Sequence, residues 1–363
     1  LDTISINGRF LAQPLTGVQR FARELTRALD KRITAGTVPD ALKAVKWRLI
    51  VPRNTPVALD LDLRSIQIES FGAGQSHIWE QTALAYKARH DLLVGFGGSG
   101  PLLHSKRQLA VIHDAMIFRH PETYSAAYRL FHSTLGFILA RRAQLATVSA
   151  FSRTELSAVF GVPESNIAII SNAPDHFAAL TPDPTILRRL GLSGGNFFLM
   201  AGTLKPSKNI QFALEAFKAW AGDKQLVVVG DKSASIFKTA GASQGKNIIF
   251  SGRLTDPEIA ALERQASAFI FPSLYEGFGL PPLEAMTQGC PVLAAGIPAV
   301  REACGSAPLY FSPYKQDELI QAIDRVSADE GLRQKLSGNG RENVKRFSWD
   351  ESASQLLRIV ASL

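Results

Sequence analysis

The sequence holds only two cysteines in 363 residues, Cys290 and Cys304. They are too few for a disulfide framework and too widely spaced for a structural zinc site, so buried thiols in a reducing compartment are expected. No apolar run approaches the ~20 residues that a membrane-spanning helix needs. The opening LDTISINGRF has no signal-peptide pattern and reads as a strand entering a loop, so a cytoplasmic protein is expected. No basic tract is interleaved with aromatics and no nucleic-acid-binding signature occurs, which ranks nucleic acid low as a partner. No Asp-x-Asp metal site stands near a predicted strand end, and neither metal nor cofactor is expected.

What is present is an ordinary soluble composition, 46% hydrophobic and 20% charged, with a net charge of +8. The charge is uneven. Residues 1–180 hold 20 Lys/Arg against 14 Asp/Glu, and residues 181–363 hold 20 against 18. A basic first half suits an anionic partner such as a phosphate, an acidic lipid surface or a diphosphate-lipid carrier, or is simply a solvated surface.

The length favours two domains. Strand-like runs alternate with helical patterns: TISING, KWRLIV, DLLVGF, QLAVIHD, LATVSA and IAIISNA in the first half. A helical stretch is expected over roughly Tyr124 to Arg142. After the Pro- and Gly-bearing segment TPDPTILRRLGLSGGN the pattern restarts with FFLMAG, QLVVVG, NIIFSG, AFIFPS, PVLAA and PLYF. Such alternation predicts parallel sheets flanked by helices, in two doubly wound domains. The expected boundaries are 1–180, 181–348 and a terminal helix, 349–363, that could pack back on the first domain. Two such domains would face one another across a cleft, with ligands beyond the carboxyl ends of the strands.

Those strand ends carry the chemistry. After FFLMAG comes TLKPSKN, which puts Lys205 and Lys208 near a helix N-terminus. The dipole there disfavours cations, so an anion bound between them would explain the pair; the alternative is two side chains reaching into water. After AFIFPS comes PSLYEGFGLPPLEAM, with Glu276, Gly277, Phe278, Gly279, Leu280 and Glu284. Pro281 fits the first helical position and Glu284 the first turn. The glycines admit positive φ and close approach of a ligand, and the N–H groups of Gly279 and Leu280 can cradle a diphosphate. A carboxylate can accept from sugar hydroxyls; the plain alternatives are a dipole-paired Glu284 and a solvated Glu276. Two carboxylates also raise glycoside hydrolysis, which would not need the lysines or the glycine turn. In the first half, His113 and Asp114 lie at a strand end, although a lone histidine is more often structural. Gly17 precedes a helix and suits close approach to phosphate. Arg20, Arg23 and Arg27 share a helix face, expected to be solvated. GFGGSG, Gly95 to Gly100, reads as a connection rather than a phosphate loop.

Together these residues resemble a retaining glycosyltransferase of the GT-B fold, family 4, also described as glycosyl transferases group 1. PSLYEGFGLPPLEAM is similar to the family's two-glutamate signature, and GTLKPSKN, VSAFSRTEL, PVLAA and FSWDESA resemble further blocks in the same order. INGRFLAQPLTGVQRFARELTRAL and IHDAMIFRHPETY resemble a mannosyltransferase B-like subgroup of bacterial O-antigen and capsule enzymes. The resemblance implies two Rossmann-like domains facing a central cleft and metal-independent transfer of a hexose from a nucleotide diphosphate sugar, GDP-mannose in that subgroup. The acceptor would be a glycan or a lipid-linked oligosaccharide, and the protein would make peripheral contact with the inner membrane. It implies Glu284 on the donor ribose, Glu276 at the donor sugar or reacting centre, and Lys208 on the departing diphosphate. Gly279 and Leu280 would hold the phosphates through their backbone, His113 would lie near the transferred sugar and Gly17 near the diphosphate. Arg253 and Leu254, in SGRL, would sit beside the base. Many members carry arginine where this chain has Thr203, so Lys205 would compensate or Lys208 would act alone. The alternatives are a GT-B nucleotide-sugar epimerase, a phosphorylase with pyridoxal phosphate on a lysine, and a non-catalytic sugar-nucleotide-binding subunit.

Overall fold

The computed structural model describes residues 2–55, 61–104, 107–202, 205–230 and 247–363. Two compact units are present, Leu1–Asn172 with Ser348–Leu363, and Ala173–Phe347.

The first unit is built on a seven-stranded sheet: β1 Thr3–Asn7, β2 Lys46–Val51, β3 Gln67–Ser70, β4 Leu92–Gly95, β5 Gln108–Val111, β6 Gln144–Thr147 and β7 Ile167–Ile169. The order is β3-β2-β1-β4-β5-β6-β7 and every pairing is parallel. β4 and β5 are buried at every position, as expected of central strands with helices on both faces. β3 (QIES) was not foreseen. It is a short, largely exposed edge strand whose Glu69 pairs with Arg48 and Lys87.

Helix Gly17–Thr34 buries Phe21, Ala22, Leu25, Ala28 and Leu29, a stripe at helical spacing. It packs against helix Trp349–Ala361, where Phe21 meets Trp349 edge-on at 5.8 Å. Ser348 caps that last helix by accepting from Glu351 N–H, and Arg32 holds Asp350 through two bonds of 2.7 Å. Asp30 accepts from the backbone N–H groups of Arg64, Ser65 and Ile66. Arg20, Arg23 and Arg27 are half-buried rather than solvated, because their helix is covered beyond its apolar stripe; Arg27 bonds Glu24 at 2.6 Å. Helix Ala126–Arg142 rests on the sheet through Leu135 and Leu139, in a core shared with Leu145, Leu156 and Phe160.

The second unit has six strands: β8 Phe197–Ala201, β9 Gln225–Val229, β10 Ile248–Gly252, β11 Ala268–Phe271, β12 Val292–Ala295 and β13 Leu309–Phe311. The order is β10-β9-β8-β11-β12-β13, again parallel throughout. Both thiols are here, free and buried. Burial pushes Cys290 well above the usual thiol range and Cys304 up to about 12. In each sheet the order reverses once, between β1 and β4 and between β8 and β11. Ligands of open α/β sheets bind beyond the carboxyl ends of the strands at such a point.

Candidate functional site

In the second unit the reversal point is flanked by the two segments singled out above. β8 ends at Ala201, followed by Gly202 at φ 155°. At the end of β9, Gly230 has φ 152°, and a Cβ there would fall 2.3 Å from the Gly202 carbonyl oxygen. Only glycine fits so close a backbone. Thr203 and Leu204 lie outside the described residues. The chain then forms a 3₁₀ turn, Pro206–Lys208, and Asn209 at φ 54° redirects it into helix Ile210–Ala219. Lys205 is exposed at the start of this turn and Lys208 is its last residue.

Two bonds tie this turn to the loop after β11. Leu274 N–H donates to the Ser207 carbonyl at 2.8 Å, and Lys208 Nζ donates to Glu276 Oε1 at 2.5 Å. The ammonium also lies 5.9 Å from the centre of the Phe271 ring. Both charged side chains are largely buried, 22% and 11% exposed. An ammonium has three donors and Glu276 takes one of them.

From Pro272 to Leu280 the loop is buried at every residue except the half-buried Leu274, so Glu276 is not a solvated side chain. Phe278 anchors the loop edge-on against Phe347 at 5.3 Å. Gly279, at φ 111°, caps helix Leu280–Thr287. The helix starts at Leu280, one residue earlier than expected, because a glycine at that positive φ turns the chain into it. Pro281 is therefore its second residue, and Glu284 is its fifth, beyond the first turn. The start of a helix leaves several N–H groups without a partner. Here Pro281 and Pro282 have none, which concentrates the free donors on Gly279 and Leu280.

Glu284 is held by His176, with Nε2 3.1 Å from Oε1. The two side chains are 7% and 15% exposed. His176 comes from the short helix Asp175–Ala178 at the start of the unit, and no local pattern marked it in the sequence. Beside this pair is Glu263, buried on helix Asp256–Gln265 with Oε2 lacking a hydrogen-bond partner. Burial pushes its carboxyl well above the usual range, and the charges of Glu284 and Asp256 push the same way. β10 ends at Gly252 with φ 78°, followed by the exposed Arg253 and half-buried Leu254. A capping box between Thr255 and Glu258 fixes this loop at the strand's carboxyl end.

The first unit has its own cluster at the β1/β4 reversal. Glu80 is fully buried. It accepts from Asn7 Nδ2 at 2.6 Å and Ser99 Oγ at 2.8 Å, meets His77 Nδ1 at 2.7 Å, and pairs with Arg9 Nε at 3.1 Å. Burial alone would raise its carboxyl; His77, Arg9, Asn7 and Ser99 outweigh that and hold it below its ordinary value. This network includes a bond between residues 90 positions apart, and no local pattern marks it. At the exit of β5, His113 Nε2 lies 2.8 Å from the Phe96 carbonyl, and Phe21 meets its ring edge-on at 4.9 Å. Burial lowers the His113 pKa against the opposing pull of Phe96 and Asp114. The imidazole is therefore neutral, donating from Nε2 to that carbonyl. His113 and Asp114 line a cavity of about 200 Å³ with Tyr124, Tyr128 and His132. Burial, with the His77 and Arg9 charges, pushes His132 down to about 4. Gly17 opens helix Gly17–Thr34 by itself, and a Cβ there would meet nothing within 4 Å. The fold therefore does not demand glycine at that place. Among the described residues no group of three or more His, Cys, Asp or Glu could hold a metal ion.

The chain is similar to several known proteins. The family model described as Glycosyl transferases group 1 matches residues 184–343. The O-antigen chain mannosyltransferase B of Escherichia coli is 29% identical over 268 residues, 69% of each chain. The serotype-specific mannosyltransferase WbdA of Escherichia coli is 25% identical over 264 residues, 68% of this chain and 32% of that relative, so the chain spans about a third of WbdA. The crystal structure of Anabaena Alr3699/HepE in complex with UDP and glucose superposes with a TM-score of 0.75 at 17% identity, covering 100% of both chains.

Proposed function

With residues 184–343 forming a glycosyl transferases group 1 domain in a chain of GT-B fold, we propose that this glycosyltransferase moves a hexose from a nucleotide diphosphate sugar to a glycan or lipid-linked acceptor, retaining the anomeric configuration. Mannose from GDP-mannose is the donor we favour, since O-antigen mannosyltransferases are among its relatives. The product belongs to bacterial surface polysaccharide. One observation carries this reading. At a single reversal point the fold assembles a buried ammonium (Lys208), a buried carboxylate (Glu276), two free backbone donors (Gly279 and Leu280) and a second carboxylate (Glu284) oriented by His176.

Each group has work that its chemistry suits. The Gly279 and Leu280 N–H groups and the Lys208 ammonium receive the diphosphate. Glu284 accepts from the ribose hydroxyls, with His176 fixing its rotamer. Arg253 and Leu254 border the base, and Lys205 adds positive charge at the phosphates. In the reaction the bond from the anomeric carbon to the phosphate oxygen breaks and its electron pair leaves with the diphosphate. Charge grows on that oxygen as the sugar becomes oxocarbenium-like. Lys208 and the oriented N–H groups stabilise the growing charge without reorganising. Glu276 keeps the ammonium aimed and stabilises the cationic sugar. The acceptor hydroxyl attacks the same face, and its proton passes to the leaving phosphate. Roles for His113 and Gly17 belong to the same proposal and are tested by His113→Ala and Gly17→Val.

The experiment is calorimetric titration with GDP, UDP, dTDP and ADP sugars, with Glu284→Ala and Lys208→Ala as controls. Saturable binding of one nucleotide class, weakened in both variants, is expected. Binding indifferent to both substitutions would move the site elsewhere. Product analysis with and without a glycan acceptor separates transfer from epimerisation.

A further inference from the structure

The cavity at the exit of β5 is built for hydroxyl groups, and the proposed function uses only its His113. Tyr124, Tyr128 and His132 form a continuous stack along it. The two tyrosine rings lie 5.1 Å apart and within 7° of parallel, and the His132 ring lies 4.1 Å from that of Tyr128. Tyr128 and His132 are one turn apart on helix Ala126–Arg142, which makes them neighbours on one face. Stacked rings hold one another in place, so the two phenolic hydroxyls are presented on a fixed wall. Tyr128 is still 46% exposed. Gly97 and Gly98 line the same cavity, and a Cβ at either would meet nothing within 4 Å. Gly98 has φ 71°, which favours glycine. At Gly97 the fold makes no such demand, and the space is simply left open. It amounts to about 200 Å³, room for one sugar ring.

The charge in this cavity has a sign. Among the described residues that line it there is no lysine or arginine, and Asp114 is the one carboxylate. Met116 N–H donates to Asp114 Oδ1 at 2.8 Å and fixes that carboxylate. Burial, then the Asp114 charge, pushes the Tyr124 hydroxyl up to about 12. Burial and Asp114 push Tyr128 the same way, with Arg9 opposing. Both phenols therefore keep their protons, and His113 and His132 are neutral. Arg9, whose charge reaches His132, is paired with the buried Glu80. Phenols, neutral imidazoles and a carboxylate exchange hydrogen bonds with sugar hydroxyls. A phosphate in the same place would meet Asp114 with no lining cation to offset it.

We propose that this cavity seats the terminal sugar of an uncharged glycan, with its hydroxyls on Asp114, Tyr124 and Tyr128, and selects such an end over a sugar carried directly on phosphate. The acceptor is then the free end of a growing chain, whatever carries its other end. This inference rests on the transferase reading and narrows its acceptor to one class. His113, which that reading puts beside the transferred sugar, is part of the cavity wall, so the seated ring lies next to the carbon that its hydroxyl attacks.

The test is saturation-transfer NMR titration of the whole chain, with mannotriose and maltotriose as neutral probes and mannose 1-phosphate as the anionic one. One neutral probe should bind about tenfold more tightly than mannose 1-phosphate. Gly97→Val fills the open space and should weaken that binding about tenfold. Tyr128→Phe should weaken it about 2- to 12-fold through loss of one hydrogen bond. Asp114→Asn still accepts from Met116 N–H but removes the charge, so it should narrow the gap between the neutral and phosphorylated probes. Thermal melts and calorimetric binding of GDP should match the parent in Gly97→Val and Tyr128→Phe. The proposal is overturned if neither neutral probe binds, or if mannose 1-phosphate binds as tightly as they do. Neutral-probe affinities indifferent to both Gly97→Val and Tyr128→Phe also overturn it. A chain that binds a neutral probe through this cavity but binds no nucleotide sugar would sink the transferase reading and leave the sugar seat standing.

Discussion

Replacing Lys208 by alanine separates the two things this side chain does. In the free protein its ammonium neutralises Glu276, whose side chain is 11% exposed. Removing one partner of a buried pair costs about 3–5 kcal/mol. Lys208 itself is 22% exposed, so water can reach the orphaned carboxylate, and about 2–3 kcal/mol is the expected loss. For a unit of this size that lowers Tm by about 5–10 °C. Catalysis should suffer differently. Lys208 holds Glu276 before the donor arrives, so donor binding gains little from it and Kd should rise less than about tenfold. The additional negative charge on the leaving phosphate oxygen develops only as the bond breaks, and loss of one donor to it costs about 10²–10³ in turnover. Single-turnover transfer from a labelled donor, with calorimetric Kd and a thermal melt on the same preparation, measures all three. In a double-mutant cycle with Glu276→Gln the stability losses should overlap by about 1–3 kcal/mol. Turnover within about threefold of the parent would refute the leaving-group role. Loss of turnover with no change in stability or coupling would refute the pairing.

Three further outcomes are expected. His176→Ala should weaken nucleotide binding about 2- to 12-fold through loss of one orienting hydrogen bond, with Glu284→Ala worse and His176→Gln close to the parent, all read by titration. Gly279→Ala forces a side chain to φ 111°. Val300 stands at an ordinary 3.4 Å from the new Cβ, so the cost is backbone strain, about 1–3 kcal/mol, visible as a lower Tm and weaker diphosphate binding. Glu263 has a raised carboxyl pKa in the folded chain. Its neutral form costs no stability below the unfolded pKa of about 4.3, and stability falls as pH rises through and above that value, because only the unfolded state then loses the proton. Glu263→Gln should therefore raise Tm at pH 8 and leave it nearly unchanged at pH 4; an equal shift at both would show that the carboxyl is not held neutral.

The sheets were legible because their central strands are buried on both faces and read as plain apolar runs: DLLVGF, QLAVIHD, FFLMAG and AFIFPS each contain one. β3 was not, because a polar edge strand four residues long carries no such run. The candidate donor site was legible as far as its pieces are local. The glycine turn, the lysine turn and the proline-started helix announce themselves by residue type, and the start of that helix slipped by one residue because φ at Gly279 is set by the fold. Pairings across the chain were not legible. Nothing near Glu276 names a lysine 68 positions earlier, and nothing near Glu284 names His176. Glu80, within SHIWEQTALAY, looks like an ordinary helical surface residue until Asn7, Arg9 and Ser99 converge on it.

The helix Trp349–Ala361 closes a unit that began with Thr3, after about 175 residues of another unit have intervened. That gives chain synthesis a temporal gap. At about 5–20 residues per second, the ribosome spends about 10–35 s making Ala173–Phe347 while Phe21 and its neighbours lack Trp349 as a cover. The first sheet can form early, but its last packing step waits for the most recently made segment. A chain truncated after Phe347 should therefore have a protease-resistant second unit and a cleavable helix Gly17–Thr34, and the full-length chain should protect both.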